Sequence, residues 1–457
     1  MNGRYHLRFI TPTGVTDLPV NLSNATVSAL GAPNDTVYPG TGSSNGTFTI
    51  PDVPEGAYYL KLGKRYLVLT ANDVDLSFDV HGRSTARAAT SPTPLTFDVT
   101  SMAAWQSGDE LQLSSPAGTA AYFVNEAATS GAPVANDTAL TGMMFDLSRA
   151  DVPVLIDSAE GDELTLTQLS TQTVDTRTYR SVARTFTPAP FSVTNGGAAT
   201  LTGAFTTVDA SNTLSLTWDR PAFAAELVSH FPGSSTQNWS TFAVSALQDA
   251  ASRGYYGDAP DVVIFAPGYA TDSSALTVAW PYGDPFPSDW TRIAWVRYFR
   301  YRYAALPGSS SAPLFASMLT YRDLSTVTAE APIEPLVGTV VAPKIQGMDA
   351  LGATILAGVG TTPTVSWTAP TLGTASMYYV FVNAVSIQSG STVLQQTTSF
   401  ETSATSLRIP PGIMTAGQTY AFEIMARSIQ GVDLSATPNQ RGLPEGSASV
   451  TTMFVTP

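Results

Sequence analysis

The 457-residue sequence contains no cysteine, so it can form no disulfide, thiolate metal site or thiol nucleophile. Charge is also scarce. Only 13% of the residues are Asp, Glu, Lys or Arg, about half the usual ~25% of soluble domains. Thr, Ser, Ala and Gly fill the places that long charged side chains hold on solvent-facing helices, and that favours strands faced with hydroxyls. The net charge of -14 disfavours duplex nucleic acid, whose binding is driven by cations that displace counterions from phosphate. It disfavours an anionic membrane surface for the same reason. Neutral polymers, proteins and cations are left as partners. No apolar run approaches the ~20 residues that span a bilayer, which excludes insertion of the chain as given, and Met1-Asn2-Gly3-Arg4 carries no signal-peptide segment. Export would therefore require a leader removed from this chain.

What is present is apolar material, 43% hydrophobic and 10% aromatic residues, enough for about three cores at ~150 residues each. Short alternating runs recur, each closed by Gly, Pro, Asn or Asp: Thr47-Phe48-Thr49-Ile50, Tyr58-Tyr59-Leu60-Lys61-Leu62 and Leu214-Ser215-Leu216-Thr217-Trp218. Strands at such spacing build sandwiches or barrels. The fold class read here is all-β, a multi-domain series of antiparallel β-sandwiches, with the β architecture of the central region left undecided between sandwiches, a barrel and a propeller. The one helical candidate runs from Phe242 to Ser252. Ser91-Pro92-Thr93-Pro94 and the Pro-rich stretch 330–335 read as linkers, which divides the chain into 1–90, 94–200, 201–340 and 341–457. The third segment either stands alone or continues the second.

Two segments resemble known families. Thr364-Val365-Ser366-Trp367-Thr368, Tyr378-Tyr379-Val380-Phe381-Val382 and Thr419-Tyr420-Ala421-Phe422-Glu423-Ile424 together resemble a fibronectin type III domain. In that family the Trp lies in an early core strand and the Tyr opens the penultimate strand. Tyr420, Phe422, Ile424 and Ala426 also alternate onto one face that can pack over Trp367. Gly46-Thr47-Phe48-Thr49-Ile50-Pro51-Asp52-Val53-Pro54-Glu55-Gly56 and the strand after it resemble a carboxypeptidase-regulatory or prealbumin-like module. Both resemblances imply stalks, spacers or adhesive modules and no catalytic residue. The texture, with 19 Arg against Lys61, Lys64 and Lys344, is similar to that of secreted proteins of high-GC bacteria. A faint echo, Phe97-Asp98-Val99 with Gly108-Asp109-Glu110-Leu111 against Phe145-Asp146-Leu147 with Gly161-Asp162-Glu163-Leu164, is too sparse to establish repeats.

Motifs for chemistry are thin. Gly42-Ser43-Ser44-Asn45-Gly46 fits G-x-S-x-G, but a nucleophile elbow needs a strand before it and a helix after it, and here a strand follows. It reads as a turn. His6, His81 and His230 share no ligand spacing. Asp73, Asp75 and Asp79 fall on alternate positions, where one strand would present all three to solvent or to calcium, the one cofactor left open. Asp109, Glu110, Asp162 and Glu163 could pair for glycoside cleavage, yet they sit in Gly-Asp-Glu turns.

The most distinctive stretch is 280–303. Trp280-Pro281-Tyr282-Gly283-Asp284-Pro285-Phe286-Pro287-Ser288-Asp289-Trp290 reads as a loop that carries four aromatic rings. In the run after it, Trp295, Arg297, Phe299, Tyr301 and Tyr303 share one face, while Val296, Tyr298, Arg300 and Arg302 share the other. Tyr282, Asp289, Trp290, Trp295 and Arg297 are the expected ligand-binding residues, with rings to stack and polar groups to direct. The competing expectation is that these rings pair across strands as sheet stabilisers. The function expected is a non-enzymatic extracellular or cell-surface protein for adhesion, scaffolding or binding of a polysaccharide or surface protein. A secreted polysaccharide-active hydrolase is the alternative, and a cleft with facing carboxylates would distinguish it.

Overall fold

The computed structural model describes residues 1–23, 28–31, 36–53, 55–115, 121–150, 153–235, 238–248, 259–270, 274–352, 355–432 and 434–457. Their regular secondary structure is nearly all strand, as the alternating pattern demands. Most of the long strands belong to one nineteen-stranded sheet. Its strands of three residues or more are β1 (Ser28–Gly31), β2 (Val37–Pro39), β3 (Tyr58–Leu62), β4 (Arg65–Leu69), β5 (Glu110–Ser114), β6 (Ala121–Phe123), β7 (Thr165–Val174), β8 (Arg177–Phe186), β9 (Asn238–Leu247), β10 (Asp261–Ala270), β11 (Thr291–Ala304), β12 (Ala312–Asp323), β13 (Met377–Gln388), β14 (Ser391–Thr402), β15 (Thr419–Ile429) and β16 (Glu445–Thr451). Pairing runs without a break in the order β6-β5-β7-β8-β10-β9-β11-β12-β16-β15-β13-β14-β4-β3-β1-β2. Every joint is antiparallel except β14 with β4, which are parallel.

Smaller sheets close the sandwiches. Leu140–Asp146, Pro94–Thr100 and Ala199–Ala204 cover a core that contains Phe97, Phe145 and Phe186. The ribbon of Asn212–Trp218 with Leu276–Tyr282 covers the third stretch. Met348–Asp349, Val341–Ile345, Thr364–Thr368 and Ser406–Arg408 cover the last. The first stretch has its own core around Phe48, Ile50, Tyr58 and Leu60. The third and fourth share one core, where Trp218, Phe242, Tyr298, Trp367 and Phe422 are all buried.

The helix lies elsewhere than expected. Phe242 belongs to β9, which is buried on both faces between β10 and β11, so its Ala-rich run is a central strand. Residues 249–258 lie outside the described residues. The helix is Arg220–His230, capped by Asp219 Oδ1, which accepts from the Ala222 N–H at 3.2 Å, and it has Pro221 in its first turn. Arg220, Phe223, Ala224 and Leu227 are its buried residues.

Neither Pro-rich stretch is a free linker. Thr93 is fully buried and its N–H donates to Asp146 Oδ1 at 2.8 Å. Ile333 is fully buried and exchanges backbone hydrogen bonds of 2.8 and 3.0 Å with Thr217 and Asp219. The first and last stretches dock through polar and aromatic contacts. Arg65 makes a two-pronged ion pair with the buried carboxylate of Glu401, with Nη2 to Oε2 at 2.7 Å, and Tyr59 donates its hydroxyl to the Arg408 carbonyl at 2.7 Å. Tyr66 stacks on Phe400 with ring centroids 5.1 Å apart.

Candidate functional site

Strand β11 runs through the middle of the great sheet, so one of its faces looks into the core and the other away from it. Val296 and Tyr298 point inward, as alternation requires. Arg300 and Arg302 are carried to that same buried face, where hydrogen bonds hold them. Arg300 donates to Asn238 Oδ1 at 2.8 Å, and Arg302 donates to the Leu351 carbonyl at 2.7 Å while lying over the Phe231 ring. Trp295, Arg297, Phe299, Tyr301 and Tyr303 take the outer face, on which Tyr303 is 62% exposed.

On that outer face a shallow groove of about 390 Å³ is lined by Trp239 of β9, Arg297, Phe299 and Tyr301 of β11, Phe315 and Ser317 of β12, and Glu423 of β15. Register brings them together: Trp239 stands opposite Phe299, Phe299 opposite Ser317, and Ser317 opposite Ser449. Ring centroids are 5.1 Å apart for Trp239 and Phe299 and 5.9 Å for Phe299 and Phe315, an aromatic floor with Phe315 still 42% exposed. The Arg297 guanidinium lies over the Phe299 ring, 4.4 Å from its centroid. Burial pushes the Glu423 carboxyl above its usual range, opposed by a hydrogen bond with Ser449 and by the charge of Arg297.

The residues expected from sequence are scattered by comparison. Arg297 is in the groove. Trp295 is half-buried, and its indole N–H donates to Ser245 Oγ at 2.9 Å. Tyr282 is a core side chain at the end of the covering ribbon, so its ring is not displayed, which corrects its reading as a loop aromatic. Trp280, on the same strand, stacks flat on Tyr179 at 4.5 Å. The loop that follows is tied to the body by Arg292, which reaches Asp284 with two nitrogens and donates to the carbonyls of Phe286, Pro287 and Trp290. A side chain at Gly283 would place its Cβ 2.4 Å from the Val182 carbonyl oxygen, so the close approach requires glycine. Trp290 stacks on Phe286 at 5.6 Å, and Asp289 points to solvent.

Other candidates resolve into structural roles. Ser43 to Gly46 is a turn between Thr41–Gly42 and Thr47–Thr49, with the Asn45 side chain accepting from Thr47. The histidines lie on three separate elements, with His6 beside Asp17 and His230 beside Glu226 at 2.9 Å each. Asp73 and Asp75 lie on the short strand Asp73–Asp75 and Asp79 on Phe78–His81, so one continuous strand does not carry the three. Asp75 meets Arg4 at 2.6 Å and Asp79 meets Arg8 at 3.0 Å. Among the described residues no three His or carboxylate groups are gathered as a metal would need.

Asp109 is buried and accepts from the Thr171 N–H at 2.7 Å, and Asp162 holds Arg83 through two contacts of 2.8 Å. Glu110 is different. Burial pushes its carboxyl up to about 7 although Arg180 lies against it. Burial likewise pushes the fully enclosed Asp261 up to about 7.

Sequence reading missed Trp239, Phe315, Ser317 and Glu423. The outward positions Pro313, Phe315, Ser317 and Leu319 follow from the two-residue period of β12, whereas Trp239 was hidden by reading the next residues as helix. No helix among the described residues is long and apolar enough to cross a membrane. No family model matches the chain, and no curated protein matches it. Among solved structures, the FN1–FN3 domains of chicken CNTN1 are similar over 82% of this chain and 99% of that one, at 10% identity and a TM-score of 0.15.

Proposed function

We propose that the chain is a non-enzymatic extracellular or cell-surface protein whose outer sheet face binds a neutral polysaccharide. The observation that carries this reading is the groove across β9, β11, β12 and β15, where adjoining rings, tilted 54° and 63° to one another, make an apolar floor beside one guanidinium, one carboxyl and one serine hydroxyl. Sugar rings present an apolar C–H face and a rim of hydroxyls, and amphipathic aromatic surfaces with nearby donors and acceptors suit both. A neutral chain is favoured over an anionic one because Glu423 offsets Arg297 locally and the protein carries a net charge of -14.

The finer kinship of the modules belongs to the same reading. In the last stretch β14-β13-β15-β16 face Val341–Ile345, Thr364–Thr368 and Ser406–Arg408, the two-sheet arrangement of a fibronectin type III domain. Tyr420, at the start of β15, accepts from the Thr415 N–H at 3.0 Å, as the tyrosine corner of such sandwiches does. The first stretch is read as prealbumin-like on its turn-and-strand pattern. Extracellular placement rests on these module types.

Affinity electrophoresis in gels that contain neutral, uronate-rich or sulfated polysaccharides tests the reading. Retardation by a neutral polymer is expected, weakened about tenfold or more in Phe315→Ala and Tyr303→Ala, as hot-spot truncations do, with melting unchanged. Retention by anionic polymers alone, or by none, overturns it. Release of reducing ends in the same samples would instead favour the secreted hydrolase, for which the raised carboxyls of Glu110 and Asp261 are the observation to follow.

A further inference from the structure

Six asparagines of the chain stand in an Asn-x-Ser or Asn-x-Thr triplet, the acceptor pattern for an N-linked glycan: Asn21, Asn24, Asn34, Asn45, Asn136 and Asn238. Asn24 and Asn34 lie outside the described residues. The triplet alone is common in a chain rich in Ser and Thr, so geometry has to separate sites from coincidence. At Asn21 and Asn45 the same turn recurs. Asn21 Oδ1 accepts from the Ser23 N–H at 3.0 Å and from the Ser23 hydroxyl at 2.6 Å. Asn45 Oδ1 accepts from the Thr47 N–H at 3.1 Å and from the Thr47 hydroxyl at 2.7 Å. A backbone N–H can only donate, so each turn takes the amide oxygen and leaves Nδ2 over. Neither Nδ2 has a hydrogen-bond partner among the described residues, and both asparagines are exposed. Gly46, at a φ of 79°, closes the second turn where a Cβ would stand 2.6 Å from the Tyr5 carbonyl oxygen. The turns are neighbours, because the Leu22 N–H donates to the Ser43 carbonyl at 3.0 Å. Asn238 is the opposite case: it is 5% exposed within β9, and its Oδ1 is taken by Arg300 at 2.8 Å.

We propose that Asn21 and Asn45 are attachment sites for N-linked glycans. They need the extracellular placement read above and are independent of the groove. The donor class is an oligosaccharide joined through a diphosphate to a polyprenyl lipid. Asn Nδ2 gives up one proton and bonds to the anomeric carbon of the sugar. The bond from that carbon to the diphosphate oxygen breaks, and polyprenyl diphosphate leaves with the electron pair, so nothing is oxidised or reduced. An amide nitrogen is a poor nucleophile because its lone pair is delocalised into the carbonyl. As the Nδ2 proton leaves, negative charge gathers on Oδ1, where in both turns an N–H and an O–H already point. The contact is local to each triplet, so it can form before the rest of the chain has folded. In the folded chain, exposure at Asn21 and Asn45 leaves room for the sugar, and burial at Asn238 leaves none. A glycan on Asn45 would also lie next to Thr41–Gly42, the outermost strand of its four-stranded sheet, and would keep that edge from pairing with another chain.

Glycopeptide mass spectrometry tests this on the protein recovered from the surface or medium of the cells that make it. Asn21 and Asn45 should carry a saccharide in most molecules, and Asn238 should carry none. Ser23→Ala should bare Asn21 alone, and Thr47→Ala should bare Asn45 alone. Thr47→Ser, which keeps a hydroxyl at the same place, should leave Asn45 occupied. Plain asparagine at position 21 or 45 in protein found outside the cell overturns the proposal and leaves the extracellular reading standing. Protein confined to the cytoplasm, with both asparagines bare, removes both together. A saccharide on Asn238, or occupancy of Asn45 that survives Thr47→Ala, would show transfer without regard to the turn and would equally overturn it. If a variant is not exported, the occupancy of Asn21, Asn45 and Asn238 in the wild type decides.

Discussion

Tyr282 and Phe315 carry rings of similar size less than forty residues apart, and their surroundings give them opposite expected behaviour. Tyr282 is enclosed in the main core, so Tyr282→Ala should cost about 3–5 kcal/mol in chemical denaturation, the range for an aromatic removed from a core. Phe315 stands on the open face, and its loss should leave the midpoint nearly unchanged. Alternation made it legible which side chains of β11 share a face, but not which face looks outward, since both carry arginine and aromatic residues. The inward Arg300 is met by Ser234, Ser235 and Asn238, and Arg302 by the Leu351 carbonyl, and none of these partners is near them in sequence. Titration belongs to this scale too. The carboxyls of Glu110 and Asp261 rise from ordinary values of 4.5 and 3.8 to about 7 on folding. The unfolded chain therefore gives up these protons first as pH rises, so the stability they contribute is full below about pH 4 and lost progressively toward about pH 7. Calorimetry should show a melting temperature lower at about pH 8 than at about pH 5.5 by a few degrees, with the difference reduced in Glu110→Gln.

At the scale of elements, strands were legible wherever one face is buried, because a period of two marks them. The failure at Phe242 has a physical cause. A strand buried on both faces loses its alternation, and Phe242-Ala243-Val244-Ser245-Ala246-Leu247 is then indistinguishable from a helical run. The true helix was announced only by its cap, Asp219, and by Pro221. The fourth stretch has two sheets of its own, yet it does not stand apart. Its β16 pairs with β12 and its β14 with β4. An isolated segment 341–457 would bare both edges, and such edges invite pairing with other chains. Gel filtration with light scattering should find that segment self-associated to a greater degree than the whole chain at the same concentration. Within the whole chain, Trp367→Ala should still cost about 3–5 kcal/mol by denaturant titration, since Trp367 belongs to the core that the third and fourth stretches share.

For the molecule as a whole, the all-β class was legible in the sequence and the single running sheet was not. Composition and turn spacing specify strands, but which strand lies beside which is decided by side-chain complementarity between residues far apart. Arg65 and Glu401, 336 positions apart, show the scale of the problem: each alone reads as a surface charge. A sheet without a break should melt in one transition rather than one per module, and scanning calorimetry can count them. Arg65→Ala, which leaves the buried Glu401 without its guanidinium, should lower that transition or split the first stretch from the rest. The long reach of this joint also imposes an order on biosynthesis. When β4 leaves the ribosome its neighbour β14 has not yet been made, so its outer edge must wait through the translation of more than half the chain. A growing chain with an open strand edge is exposed to wrong partners for all of that time. Cells that make this protein in quantity should therefore need either a holdase that covers the nascent edge or slow crowding of ribosomes on the message, and chains truncated before β14 should be degraded or aggregated rather than accumulate folded.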